Sequence, residues 1–263
     1  MKKLFLIVFS ILISSVSFAS GPDLVWTGGG LCVSDEDNPG YLAETFVSLG
    51  NYNNAYIFTE PMLTLKGGDL GVSVGAGARM PILSGDVLAG YNVFFDYTDD
   101  NDHKRIGAGA EIYHHNFSAH TNIYLPLSDR QGREEALTGI DLTVGIPIPR
   151  ASFISVWPGL YFFNGEDEDD MKGLSLIVKV QPAKAVTINI GARNDALTAG
   201  RDESEIFARI DITIPMKNLG MDLFKFAPEK YPIDTSQYMD HRVVRQNFIT
   251  YEKKSLYHLI FHH

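Results

Sequence analysis

Val87-Leu88-Ala89-Gly90-Tyr91-Asn92-Val93-Phe94-Phe95-Asp96-Tyr97 is the stretch whose reading decides the fold. Val87, Ala89, Tyr91, Val93, Phe95 and Tyr97 fall on one face at a period of two, and Gly90, Asn92 and Asp96 fall on the other. Successive side chains of a strand point to opposite faces, so the alternation predicts a β-strand with one apolar and one polar face. Moving outward, Phe117, Ala119, Thr121, Ile123, Leu125 and Leu127 oppose Ser118, His120, Asn122, Tyr124 and Pro126. Further on, Thr138, Ile140, Leu142, Val144, Ile146 and Ile148 oppose Gly139, Asp141, Thr143 and Gly145, and Ile206, Ala208, Ile210, Ile212 and Ile214 oppose Arg209, Asp211 and Thr213. Twelve candidate strands emerge, at 24–34, 41–50, 55–66, 70–80, 86–97, 104–114, 117–127, 137–147, 153–163, 171–180, 186–194 and 204–215.

The polar face carries Arg79, Asp96, Glu111, Asp141, Lys179, Arg193, Arg209 and Asp211, with small residues between them. A soluble barrel puts apolar residues inside and charges outside, whereas a transmembrane barrel meets lipid with its apolar face and keeps a polar interior. Length favours the second. Most segments run to about 10–12 residues, against about 5–6 in globular sheets and the 9–11 or so that cross a bilayer. Tyr91 and Tyr97 on the apolar face stand about 20 Å apart at strand rise, close to the roughly 25 Å between the aromatic girdles of outer-membrane barrels. The fold expected is therefore all-β: a transmembrane antiparallel β-barrel of about twelve strands.

Two kinds of connection alternate along the chain. Asp35 to Gly40, Gly67 to Asp69, Thr98 to Asp102, Ser128 to Ala136, Asn164 to Asp170 and Asp195 to Glu203 together carry eighteen acidic residues. Between them, Asn51 to Asn54, Pro81 to Gly85, His115-Asn116, Pro149 to Ser152 and Gln181 to Ala185 carry none. Outer-membrane barrels pair longer extracellular loops with short periplasmic turns, so the acidic set is expected outside, with both barrel ends in the periplasm.

The first residues agree with that compartment. Lys2 and Lys3 precede an apolar run from Leu4 to Ile13, and Ser17-Phe18-Ala19 supplies small residues for cleavage between Ala19 and Ser20. This is the pattern of a secretory signal peptide, and its apolar core is short for a membrane span. Later in the chain no stretch approaches 18 uninterrupted apolar residues, which excludes a helical membrane protein. The 24 glycines and 11% aromatic residues suit strands and tight turns. Cys32 is the single cysteine, so no intramolecular disulfide forms. A net charge of −10 argues against nucleic acid or anionic lipid as the main partner.

Several strands resemble the β-domain of the inverse autotransporters, the intimin and invasin family. The resemblance is densest in Gly90 to Tyr97, His103-Lys104-Arg105-Ile106-Gly107-Ala108-Gly109-Ala110-Glu111, Asn122-Ile123-Tyr124-Leu125-Pro126-Leu127 and Gly139-Ile140-Asp141-Leu142. Past the barrel, the stretch from His241 to Lys254 resembles the family's basic linker, with Arg242, Arg245, Lys253 and Lys254 as its cations. The resemblance implies a linker that re-enters the barrel from the periplasm and passes up the pore to a surface-displayed passenger. No room is seen for a passenger after His263, nor for a periplasmic peptidoglycan-binding module ahead of the barrel, so the adhesin function does not carry over with the fold. The organisation expected is a signal peptide at 1–19, a barrel at 20–216, a linker or plug at 217–254 and a short tail at 255–263. Outer-membrane lipid, the barrel-insertion machinery, periplasmic chaperones and a host or neighbouring cell surface are the partners that follow.

Other clusters yield to plainer readings. His114, His115 and His120, with Ser118, could be read as metal ligands or as a lipid hydrolase, but polar residues at a barrel rim fit better without supporting geometry. Gly71, Gly75 and Gly77 sit at strand spacing with no helix after them, so they read as packing rather than a phosphate loop. Glu166 to Asp170 lacks the ordered spacing of a calcium loop. No catalytic, metal or cofactor site is expected. Two roles remain open: a surface-exposed barrel of inverse autotransporter type serving display or adhesion, and a small channel. An outer-membrane enzyme is the third and least supported.

Overall fold

The computed structural model describes residues 21–99, 102–129, 134–165, 170–195, 197–198, 204–217, 221–226 and 231–253. The Ala19–Ser20 cleavage pair, the acidic stretch 166–169 and Lys254 lie outside the described residues. In chain order the strands are β1 (Asp23–Ser34), β2 (Gly40–Tyr52), β3 (Ala55–Lys66), β4 (Asp69–Ile82), β5 (Val87–Thr98), β6 (Lys104–His114) and β7 (Phe117–Pro126). There follow β8 (Glu134–Ala136), β9 (Thr138–Ile148), β10 (Ala151–Asn164), β11 (Met171–Ala183), β12 (Val186–Asn194), β13 (Ser204–Pro215) and β14 (Tyr251–Lys253). Twelve of them, all but β8 and β14, form one closed antiparallel barrel. Closure comes from β1, which pairs with β2 on one side and with β13 on the other, from Trp26 against Pro215 to Ser34 against Phe207. Closure leaves the barrel no edge strand, the arrangement by which a sheet satisfies its backbone groups within hydrocarbon.

Local sequence sets the turns. Tyr52 pairs with Ala55 across Asn53-Asn54, both at positive φ (48° and 65°), the geometry that two-residue hairpins demand and that Asn tolerates. The two strands that the alternation alone does not predict are β8 and β14. They are three residues each and pair with one another, Tyr251 against Ala136 and Lys253 against Glu134, joining the C-terminal segment to a connection of the acidic set.

Burial separates the two faces of the sheet. Leu63, Val93, Ile123, Ile140, Leu142, Leu176, Ile190 and Ile210 are exposed, Leu142 at 42%. Arg79, Asp96, Arg105, Glu111, Asn122 and Asp211 are buried, Arg79 completely. The buried face of a closed barrel is its inner face, so the inside-out arrangement of a membrane barrel holds. The inner face is nonetheless not uniformly polar. Trp26, Phe46, Phe58 and Phe94 form an apolar cluster with Val243, and Leu88 and Tyr113 form another with Ile233 and Tyr238. Glycines make room for these rings. A Cβ at Gly75 would come within 2.0 Å of the Phe94 ring, and one at Gly77 within 2.4 Å of Phe58. Among the described residues no helix is long and apolar enough to cross a membrane.

Candidate functional site

The site is the contact between the inner wall and residues 233–253. It begins at the turns without acidic residues. Ile233 N–H donates to the His115 carbonyl (3.0 Å), and Thr235 Oγ1 donates to the Gly85 carbonyl (2.7 Å). It ends at the other rim, where Phe248 packs on Gly40 so closely that a Cβ there would lie 2.7 Å from the ring, and where Leu137 N–H donates to the Thr250 carbonyl (3.0 Å).

Between these ends the wall holds the segment largely by its backbone. Arg79 on β4 donates through Nη1 to the carbonyls of Met239 (2.7 Å) and His241 (2.6 Å), and through Nε to Glu111 Oε1 on β6 (2.6 Å). Its guanidinium lies over the Phe58 ring at 4.7 Å. Arg105 on β6 repeats the arrangement higher up: Nη2 donates to the Gln246 carbonyl (2.9 Å), Nη1 to that of Phe248 (3.1 Å) and Nε to Asp96 (2.9 Å). A guanidinium presents donors in a fixed fork, which lets one arginine hold a carboxylate and an extended chain at once. Trp26 Nε1 donates to the Asp240 carbonyl (2.7 Å) and Asn122 Nδ2 to that of Val244 (3.0 Å), while Val243 N–H donates to Glu60 (3.1 Å).

Two arginines of the segment return the contact as ion pairs. Arg245 donates to both oxygens of Asp96 (3.0 and 3.1 Å) and lies 3.9 Å above the Phe94 ring. Arg242 pairs with Glu44 and, at 3.0 Å, with Asp211. Each of these carboxylates is buried, so a removed partner would strand a charge where water cannot compensate it.

The expected inner-wall residues therefore divide by partner. Asp96 and Asp211 meet the segment directly, and Arg79 meets its backbone. Glu111 is taken by Arg79 and by the Tyr113 hydroxyl (3.0 Å). Asp141 is held by Asn122 (2.7 Å) and Tyr124 (2.7 Å), and Tyr124 in turn accepts from Gln246 N–H (2.8 Å). Across the barrel, Lys179 sits over the Trp157 ring, Arg193 pairs with Glu205, and Arg209 pairs with Asp211. Lys253 lies in β14 and pairs in register with Glu134. Glu44, Glu60 and Arg105 belong to the same site, although polar-face reasoning did not single them out. Glu44 hides because its own face also carries Leu42 and Phe46, so the face does not look polar. The missed signal is the carboxylate itself: a charge near mid-strand does not face hydrocarbon cheaply.

The histidines do not converge on a metal. No group of three or more ligating side chains occurs among the described residues. His120 Nε2 meets Ser118 Oγ at 3.1 Å, but its other ring nitrogen stands 3.9 Å from Glu111, whose oxygens already accept from Arg79. His115 is at the rim with Ile233.

The model of the inverse autotransporter β-domain family matches residues 35–223. The chain belongs to that family. An inverse autotransporter β-domain is an outer-membrane barrel, and the inner wall described here is that of such a barrel. Among curated proteins, none matches the chain. Solved structures share the fold. One, from a study of the in-meso crystallization of membrane proteins, superposes with a TM-score of 0.73 at 18% identity, covering 87% of this chain and all of the other. The KdgM porin superposes at 0.51 with 8% identity, covering 72% of this chain and 98% of its own. An outer-membrane channel from Pseudomonas putida F1 gives 0.51 at 6% identity, covering 76% and 100%.

Proposed function

We propose that this outer-membrane barrel threads its own C-terminal segment, residues 233–253, through the lumen and serves surface display or adhesion. The observation that carries the reading is the unbroken series of wall contacts from His115 and Gly85 at one rim to Gly40 and β8 at the other. The acidic connections form the outer rim, so the segment enters from the periplasm and leaves at the cell surface. Most wall donors address backbone carbonyls, which suits a barrel that must hold an extended chain whatever side chains it carries. The pairs Arg245–Asp96, buried on both sides, and Arg242–Asp211, half-buried on the segment side, then fix the register. Lipid and the barrel-insertion machinery are the general partners; a host or neighbouring cell is the surface partner. An epitope inserted after Lys253 tests the reading on intact cells. Surface labelling there, with a second epitope at Lys217 reached only after the outer membrane is permeabilised, is expected. Labelling of both only after permeabilisation would overturn it.

A further inference from the structure

The segment covers only one side of the wall. Most of its partners lie on β2 to β7, where Glu44, Glu60, Arg79, Asp96, Arg105 and Asn122 are all engaged; Trp26 on β1 and Asp211 on β13 also reach it. Beside most of them a cavity of about 1350 Å³ remains, bounded mainly by β9 to β13, by β1 and by the flank of the segment, with Tyr113, Ser118 and Asn122 at its margin. No residue of β4 or β5 lines it among the described residues. Its lining runs from Asp37, Asn38 and Lys66 at the acidic rim to Ser152, Gln181 and Lys184 at the other. Between the rims stand Thr143, Ser155, Ser175, Lys179, Asn189 and Arg209.

We infer that the barrel conducts small hydrated ions and polar solutes along this β9–β13 half while the segment stays in place. Spread over an apolar band about 25 Å tall, the 1350 Å³ cavity averages about 54 Å² in cross-section, the area of a circle about 8 Å across. That is roughly three water diameters for a water of 1.4 Å radius. Phe153, Leu160, Ile177 and Phe207 share the wall, but hydroxyl, amide and charged side chains run along it from rim to rim and give water partners in a cavity roomy enough to hold it. Display and permeation therefore use opposite halves of one lumen.

The inference rests on the lumenal placement of 233–253, and the full chain tests both separately. In a Cys32→Ser background, single cysteines are placed at Ser175, Ser73 and Leu176, and the protein is reconstituted in planar bilayers. A negatively charged, membrane-impermeant thiol reagent is then added. The expected result is a steady ionic current that labelling at Ser175→Cys cuts by at least half. Ser73→Cys, beneath Arg245, stays unlabelled, and Leu176→Cys on the exposed apolar face changes nothing. Absence of current together with an unreactive Ser175→Cys overturns the passage and leaves the threaded segment standing. Rapid labelling of Ser73→Cys together with Ser175→Cys overturns the placement of the segment instead.

Discussion

Replacing Asp96 with alanine attacks the point where wall and segment are most tightly joined. Asp96 accepts from Arg105 on the wall, from Arg245 on the segment and from Ser73 (2.6 Å) on β4. Asp96 is 3% exposed, so water does not replace these bonds. Removing one partner of a buried ion pair costs about 3–5 kcal/mol, because the other charge is left uncompensated. Here two guanidiniums lose the same partner, which sets the expectation at the upper end of that range. Arg245→Met should cost less, since Asp96 keeps Arg105 and Ser73. Combining the two changes should then be less than additive by about 0.5–3 kcal/mol, the coupling of residues in one network. Urea unfolding in lipid vesicles measures the stabilities, and protease sensitivity of 233–253 reports the local effect. An Asp96→Ala variant within about 0.5 kcal/mol of the parent, the range of an inconsequential surface change, would refute the contact.

Three further outcomes follow from the same geometry. Leu142→Arg puts a charge on the exposed apolar face and should cost about 2–4 kcal/mol, whereas Thr143→Arg, one residue along in the cavity wall, should be tolerated far better; equal losses in unfolding experiments would reverse the faces. Gly75→Ala places a Cβ within 2.0 Å of the Phe94 ring, so the ring must move out from under Arg245. Such overpacking costs typically about 1–3 kcal/mol, and an unchanged melting temperature would show that the ring does not lie there. Arg79→Met should loosen the segment at Met239 and His241 and strand Glu111, seen as faster proteolysis near Tyr238 than near Phe248; uniform protection would contradict the clamp.

Strand alternation made the barrel legible because a membrane barrel imposes one rule on every residue: one face to lipid, the next to the lumen. Each of the twelve predicted strands lies within a few residues of an observed one. What alternation could not show is that the inner face is mixed. Leu88, Phe94, Phe46 and Phe58 point inward because the segment brings its own apolar surface, Val243, Ile233 and Tyr238, to cover them. Period two has no knowledge of a partner 140 or more residues away. The same blindness hid β8 and β14, which pair across the length of the chain and are too short to carry a pattern of their own. The basic character of the segment was legible in Arg242 and Arg245, but which carboxylates they meet, Asp211 and Glu44 for the one and Asp96 for the other, was not. That Glu111 is instead satisfied by Arg79 depends on cross-strand register, β4 to β5 to β6, which composition does not encode.

The central claim is that 233–253 occupies the lumen and is bound there. Single-channel conductance of the full chain, compared with a form ending at Met216, tests it most directly. Because a ligand held only by the folded state stabilises that state, removing the segment should raise conductance and lower the melting temperature together. Equal conductance and equal stability in the two forms would contradict the account.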